Sequence, residues 1–248
     1  MQNVRIQKYF IHSAFSLTIS AMKLTNLLSW LVAILIPLAL IGLGLRVLLT
    51  PLFLKIEYNM PYFPQDEYGF TKEDRLKWAP YALDYLVNSA DISYLGDLKF
   101  EDGTPLYNER ELSHMADVKR VTQGALNVWY IALSFLTLFG IWSWRGDWMQ
   151  TYRLGLMRGG WLMVGLAVVI GVIAVIGITV NPDIFFSFFA GFHSLFFEGD
   201  SWLFYYSDTL IRLFPIRFWQ DAFLWAAVIA LSGGVALGLG FRSAPHHI

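Results

Sequence analysis

The chain has 248 residues, 56% hydrophobic, 17% aromatic and only 15% charged, with a mean hydropathy of +0.49, where soluble domains carry about a quarter charged residues. Such a composition excludes an ordinary soluble domain and implies a polytopic membrane protein. The absence of Cys excludes disulfides, a thiol nucleophile and cysteinyl metal ligands, and a formal net charge of -1 with scattered Lys and Arg gives no reason to expect nucleic acid.

Residues 1–23 are weakly amphipathic, with Arg5, Lys8 and Lys23 as their only charges. They read either as an interfacial helix or as a cytoplasmic extension ahead of a start at Met22-Lys23. Residues 27–49 form the first span, of the twenty-odd residues that a hydrocarbon core of about 30 Å requires. No small-x-small cleavage signal precedes Thr50-Pro51, so this span is a retained anchor.

Residues 51–120 are the one long polar region. Phe70-Thr71-Lys72-Glu73-Asp74 pairs an N-cap with an acid three residues on, and the run to Asn88 predicts a helix with Leu76, Ala79, Leu83 and Leu86 on one face, bent or restarted at Pro80. The Asp102-Gly103 pair between short alternating segments from Leu98 to Tyr107 predicts a small hairpin. It delivers the chain to a polar helix start, Tyr107 to Lys119, that runs unbroken into the second span at 121–144.

Arg145, Arg153 and Arg158 then mark a short loop before the third span, 161–180. Short loops rich in Lys and Arg remain cytoplasmic, so this loop and both termini are expected inside and the long polar region outside. After Asn181-Pro182-Asp183, Ile184 to Phe197 is uncharged, rich in Phe and too short to cross, which predicts an interfacial segment within 181–217. Asp208 is placed to cap a short helix that Pro215 stops, and the fourth span runs over 218–241. The expected fold is therefore all-α, with four transmembrane helices, a small extracytoplasmic α+β cap between spans 1 and 2, and the aromatic segment between spans 3 and 4.

Two histidines fall on the expected outer side. His114 shares a helical face with Glu111, Asp117 and Val118. At about 1.5 Å per residue it stands roughly 10 Å beyond a span that begins at Val121, close to a headgroup layer about 5 to 8 Å thick. His193 has Phe189, Ala190, Phe196 and Phe197 as helical neighbours, a setting that disfavours imidazolium and leaves a neutral ring able to accept a proton. Glu198 and Asp200 are near enough in sequence to orient that ring.

Taken alone, either histidine is as readily a packing residue, and the Phe cluster is most simply interface packing. Two histidines on one side of the membrane, each flanked by acids, shift the balance toward chemistry. Two chemistries fit them. Glu111-x-x-His114 has the spacing of carboxylate-bridged metal sites, which His193 and Asp200 would complete. Alternatively, one His deprotonates an attacking amine or hydroxyl while the second His or an Arg stabilises the oxyanion of an ester carbonyl. An apolar, aromatic interfacial site suits a lipid ester and favours the second reading.

Glu109-x-Glu111-Leu112-x-His114-Met115-x-Asp117-Val118-Lys119, Phe192-His193-x-x-Phe196-Phe197-x-Gly199-Asp200-x-Trp202 and Asp208-x-Leu210-Ile211-x-Leu213-Phe214-Pro215 together resemble a bacterial family of four-span membrane proteins. That family includes the lipoprotein intramolecular transacylase, Lit. The resemblance implies an enzyme that moves the sn-2 acyl chain of a diacylglyceryl lipoprotein onto the amine of its N-terminal cysteine, giving the lyso-form. It also implies that His114 and His193 are the catalytic pair. His193 is expected to be the base and His114, held by Glu111 or Asp117, the donor to the oxyanion or leaving alkoxide, with exchanged roles or a transient acyl-imidazole on one ring as the variants.

Glu111, Asp117, Asp200 and Asp208 are the expected orienting residues. Arg46, Arg110, Arg212, Trp202 and Phe192 are the expected contacts to substrate or headgroup. No cofactor and no metal are expected. The partners are a diacylglyceryl lipoprotein or other lipid ester and membrane lipid, and the protein is expected to be a monomer. A metal-dependent membrane hydrolase and a non-enzymatic lipid- or lipoprotein-binding protein are the alternatives.

Overall fold

The computed structural model describes the chain except for Met1, Pro182, Glu198, Asp200 and residues 242–248, with the backbone alone for residues 2–22, 178 and 179. Among the described residues the helices are α1 (Gln2–Leu48), α2 (Pro51–Glu57), α3 (Lys72–Val87), α4 (Ser93–Gly96), α5 (Glu109–Arg145), α6 (Met149–Val180), α7 (Ile184–Ser194), α8 (Thr209–Leu213) and α9 (Ile216–Gly240). Among the described residues four segments are long and apolar enough to cross a membrane: Lys23–Leu48, Glu109–Arg145, Met149–Gly177 and Ile216–Gly240. Nothing between Gln2 and Ile36 is Gly or Pro, and α1 accordingly runs through the expected junction at residue 23 without a break.

The chain divides into two compact units. The first comprises residues 1–40, 131–166 and 231–248. Its helices meet at small residues, as helices in lipid do when no hydrophobic drive separates them from the solvent. A Cβ at Gly155 would lie 2.7 Å from the Ser29 carbonyl oxygen, and one at Gly160 would lie 2.5 Å from that of Gly234. Only Gly permits these backbone approaches of α6 to α1 and to α9.

Residues 145–158 differ from the expected loop. Only Gly146, Asp147 and Trp148 separate α5 from α6, while Arg145 ends one helix and Arg153 and Arg158 lie on the other. Asp147 takes φ 56°, a left-handed conformation that Asp tolerates, and Trp148 folds back on Trp142 with ring centroids 5.5 Å apart. That contact lets the chain reverse in three residues.

The second unit, residues 41–130 and 167–230, holds the remaining helices and a core that includes Phe53, Leu54, Tyr58, Trp78, Leu83, Leu95, Leu106, Met115, Leu213 and Phe218. Thr71 and Asp74 form the predicted capping box at the start of α3, the Thr71 hydroxyl accepting from Asp74 N and the Asp74 carboxylate from Thr71 N. Pro80 does not restart the helix, which continues to Val87 and buries Ala79, Leu83 and Leu86. The α+β cap is not found. Among the described residues there is no strand, and the Asp102-Gly103 turn is closed by a single antiparallel bridge between Lys99 and Pro105. Each arm is about three residues long, and Pro105 has no N–H to extend the ladder.

α5 has 37 residues, about 55 Å at 1.5 Å per residue against a hydrocarbon core of about 30 Å. Its charges from Glu109 to Arg120 fill the first turns, so the crossing segment is the apolar stretch from Val121, and His114 precedes it. α7 is the short aromatic helix expected between the third and fourth spans, and Pro215 separates α8 from α9.

At the contact of α2 with α9, Glu57 is fully buried, and neither carboxyl oxygen has a hydrogen-bond partner among the described residues. Burial, followed by the charge of Asp221, raises its carboxyl from 4.5 to about 7, opposed by Arg217, which is ion-paired to Asp221 at 2.6 Å. Between those two values the native state binds a proton that the unfolded chain has released, so stability falls as pH rises from about 4.5 to about 7. In a detergent-solubilised thermal melt, Glu57→Gln is expected to raise the midpoint at pH 8 and to change it little at pH 4. An equal effect at both pH values would contradict this account.

Candidate functional site

His114 stands on the second turn of α5 and His193 on the last turn of α7, and both side chains are buried. Their rings lie 6.2 Å apart at an interplanar angle of 20°. Further aromatic rings pack against both. Phe197 and Phe204 present edges to His114 at 4.9 and 5.3 Å, and Phe189 and Trp202 lie 4.1 and 4.9 Å from His193. Phe197 also lies 5.6 Å from His193 and so touches both rings.

Burial sets the protonation of the pair. It pushes His114 down from 6.5 to about 4, helped by repulsion from His193 and opposed by the charge of Asp117. It lowers His193 as well, against a backbone hydrogen bond with Phe189. Both rings are therefore neutral at pH 7. His193 Nδ1 lies 2.8 Å from the Phe189 carbonyl oxygen. A carbonyl only accepts, so Nδ1 carries the ring proton and Nε2 keeps its lone pair. His114 Nδ1 is buried without a partner among the described residues, and so is the Trp202 indole nitrogen. Unmet polar atoms of this kind in a buried site are what a ligand would satisfy.

The predicted orienting acids separate into different roles. Glu111 is buried, but its oxygens accept from Asn108 N at 2.8 Å and from Leu210 N at 2.7 Å. With Asn108 Oδ1 accepting from Glu111 N at 3.0 Å, it forms a capping box for α5 and at the same time caps α8 from ninety-nine residues away. Its expected hold on His114 is thus replaced by two backbone amides. Burial raises its carboxyl, and those same amides oppose the rise.

Asp208 occupies the N-cap position of α8, yet its side chain makes no cap bond. It accepts instead from Tyr205 N, from Asn108 Nδ2 and, at 3.2 Å, from Arg110. Asp117 is ion-paired with Arg120 and acts on His114 through charge alone. Asp200 lies outside the described residues.

Of the predicted substrate contacts, Trp202 is in ring contact with His193, and Phe192 lies 5.9 Å from it. Arg110 stacks its guanidinium on Phe204 at 5.5 Å, so a single ring separates it from His114. Arg212 is engaged in the fold, paired with Asp66 at 3.1 Å and set 3.5 Å over Phe70, and Arg46 reaches the carbonyl of Leu49 at the end of its own helix. Phe204 went unpredicted because the stretch from Ser201 to Tyr206 is irregular and has no periodicity to read. Of the ligands of the metal reading, Glu111 is turned to amides and Asp200 lies outside the described residues; among those described, no three His or carboxylate side chains converge.

A family model described as lipoprotein intramolecular transacylase Lit matches residues 30–219. An uncharacterized protein of Aquifex aeolicus (strain VF5) is 29% identical over 210 residues, covering 85% of this chain and 91% of its own. Among solved structures, the in meso structure of the membrane-integral lipoprotein intramolecular transacylase Lit of Bacillus cereus is similar with a TM-score of 0.68, at 19% identity over 87% of this chain and 93% of that one. A structure of the same Bacillus cereus protein with one histidine replaced by alanine gives 0.65 at 19% identity, over 91% and 95%. At such identity the structural likeness shows a shared fold.

Two measurements follow from this geometry. In histidine-labelled protein in nanodiscs, the ring resonances of His114 and His193 are expected to titrate below 6.5, that of His114 near 4; midpoints at 6.5 would refute the desolvated pair. Glu111→Ala leaves the buried amide of Leu210 unpaired and removes the cap bond to the part-buried amide of Asn108, and should cost at least about 1–3 kcal/mol of stability, the penalty of one unmet buried group, read as a lowered unfolding midpoint. An unchanged midpoint would remove Glu111 from its role as a tie.

Proposed function

The chain belongs to the lipoprotein intramolecular transacylase family, Lit, and on that premise we propose that it transfers the sn-2 acyl chain of a diacylglyceryl-modified lipoprotein to the amine of the N-terminal cysteine. It is an acyltransferase of the cell envelope membrane, acting on lipoprotein. The product is a lyso-form lipoprotein, and the two histidines are the acid/base pair. The observation that carries this reading is the buried, neutral, near-parallel pair of imidazoles in an aromatic shell, one of them held with its Nε2 lone pair free.

His193 Nε2 takes the proton from the attacking amine, and the carbonyl of Phe189 keeps its tautomer and orientation. The positive charge it gains is disfavoured by its surroundings, so the proton is readily passed on. His114, neutral and carrying one ring proton, donates to the departing sn-2 alkoxide and recovers a proton through the pair. Arg110, resting on Phe204 and held by Asp208, is a polar contact for the peptide or glyceryl part of the substrate at the rim. Arg145, Arg153 and Arg158, on the helix ends that flank the short turn between α5 and α6, support a cytoplasmic position for that turn and an extracytoplasmic one for the site.

Expression in a host without other N-acylating activity, with lipoprotein N-termini read by mass spectrometry, tests the reading. The wild-type chain is expected to yield N-acylated lyso-form lipoprotein, and His114→Ala and His193→Ala each to lose it by at least about 10²-fold, the usual contribution of a positioned acid or base. Undiminished product from both variants would end the proposal. Release of free fatty acid in place of the N-acylated product, lost on chelation and restored by metal, would favour the metal-dependent hydrolase.

A further inference from the structure

We propose that the Trp202 indole N–H donates to the oxygen of the ester carbonyl under attack, an assignment that rests on the transacylase reading above. Trp202 lies in the irregular stretch between α7 and α8, its ring 4.9 Å from His193 at an angle of 35° and 6.5 Å from Phe189. Its Nε1 is buried and has no acceptor among the described residues. A buried indole N–H normally finds a partner, and leaving one unmet is unfavourable. Here that unmet donor sits one ring contact from the base.

The alternative donors are less suited. Arg110 is bound to Asp208 and screened from His114 by Phe204. His114 has one ring proton when neutral, and the departing alkoxide needs it. The indole is a donor only, so it competes neither for the amine proton nor as a nucleophile. In an aromatic, water-poor shell its hydrogen bond strengthens as charge gathers on the carbonyl oxygen and requires no reorganisation.

The step balances. The amine nitrogen bonds to the carbonyl carbon, and the C=O π pair moves to the oxygen facing Trp202. The amine proton passes to His193 Nε2. On collapse, the bond from carbonyl carbon to sn-2 oxygen breaks, and the alkoxide takes up a proton from the histidine pair. Amide and sn-2 hydroxyl are formed with no other reactant.

The test uses the full chain in nanodiscs with a synthetic diacylglyceryl lipopeptide. Trp202→Phe is expected to lower kcat by about 10²–10³-fold, the range for loss of one oxyanion donor, with KM and the unfolding midpoint little changed. Because Phe also alters packing, a second variant carries benzothienylalanine at position 202, which keeps the bicyclic shape and replaces N–H by sulfur. It should show the same loss, while 5-fluorotryptophan, which retains N–H, should restore the rate. A benzothienylalanine protein turning over at the wild-type rate would overturn the assignment and leave the transacylase reading standing. A wild-type protein that forms no lyso-form product would overturn both.

Discussion

One buried carboxyl group determines how the candidate site is held. Glu111 accepts from the amide of Asn108, at the start of its own helix, and from the amide of Leu210, at the start of α8. It thereby joins the segment that carries His114 to the segment that follows His193. The join is reinforced by neighbours of the same kind: Thr209 donates its hydroxyl to the Leu106 carbonyl, and Tyr58 donates to that of Leu213. Buried backbone groups near a membrane interface need such partners, because neither lipid nor bulk water is at hand to supply them. A carboxyl that satisfies two helix starts at once is a compact solution, and its raised protonation equilibrium reflects the burial that makes it effective.

On this frame the aromatic side chains set the electrostatics. Phe189, Phe197, Phe204 and Trp202 surround the two imidazoles and exclude the water that would solvate an imidazolium. Neutral histidine is the consequence, and neutral histidine is the form that can accept a proton. The same shell leaves His114 Nδ1 and Trp202 Nε1 without partners among the described residues. A fold optimised for stability alone would pair these atoms or replace them. Polar atoms held unmet beside a pair of titratable rings are characteristic of sites where function overrides packing.

Some of this was legible from residue order. Apolar length marked the four membrane-crossing helices, and the Thr71–Asp74 spacing marked the start of α3. The acid three residues before His114 was ambiguous, because the same position is N3 of a helix that begins after Asn108, and a carboxylate there serves the helix start as readily as the histidine. Asp208 was misread for the complementary reason: it holds the N-cap position, but the cap bond comes from Glu111, across the fold. Arg212 had the flanking position of a headgroup ligand, yet Asp66, nearly 150 residues earlier, claims it. The hairpin had its turn residues but lacked the length, and the ladder donor at Pro105, for strands.

The sequence by itself determined the membrane class, the helical composition and the two histidines as the residues to watch, because hydropathy and helical periodicity are local properties summed along the chain. Only the tertiary structure decided that the two rings face one another at 6.2 Å, that Phe204 closes the site, and which carboxylates serve amides and which serve charge. Those outcomes depend on contacts between residues about eighty to one hundred and fifty positions apart, and on the loss of water around them. Neither separation in space nor desolvation is written in the order of residues.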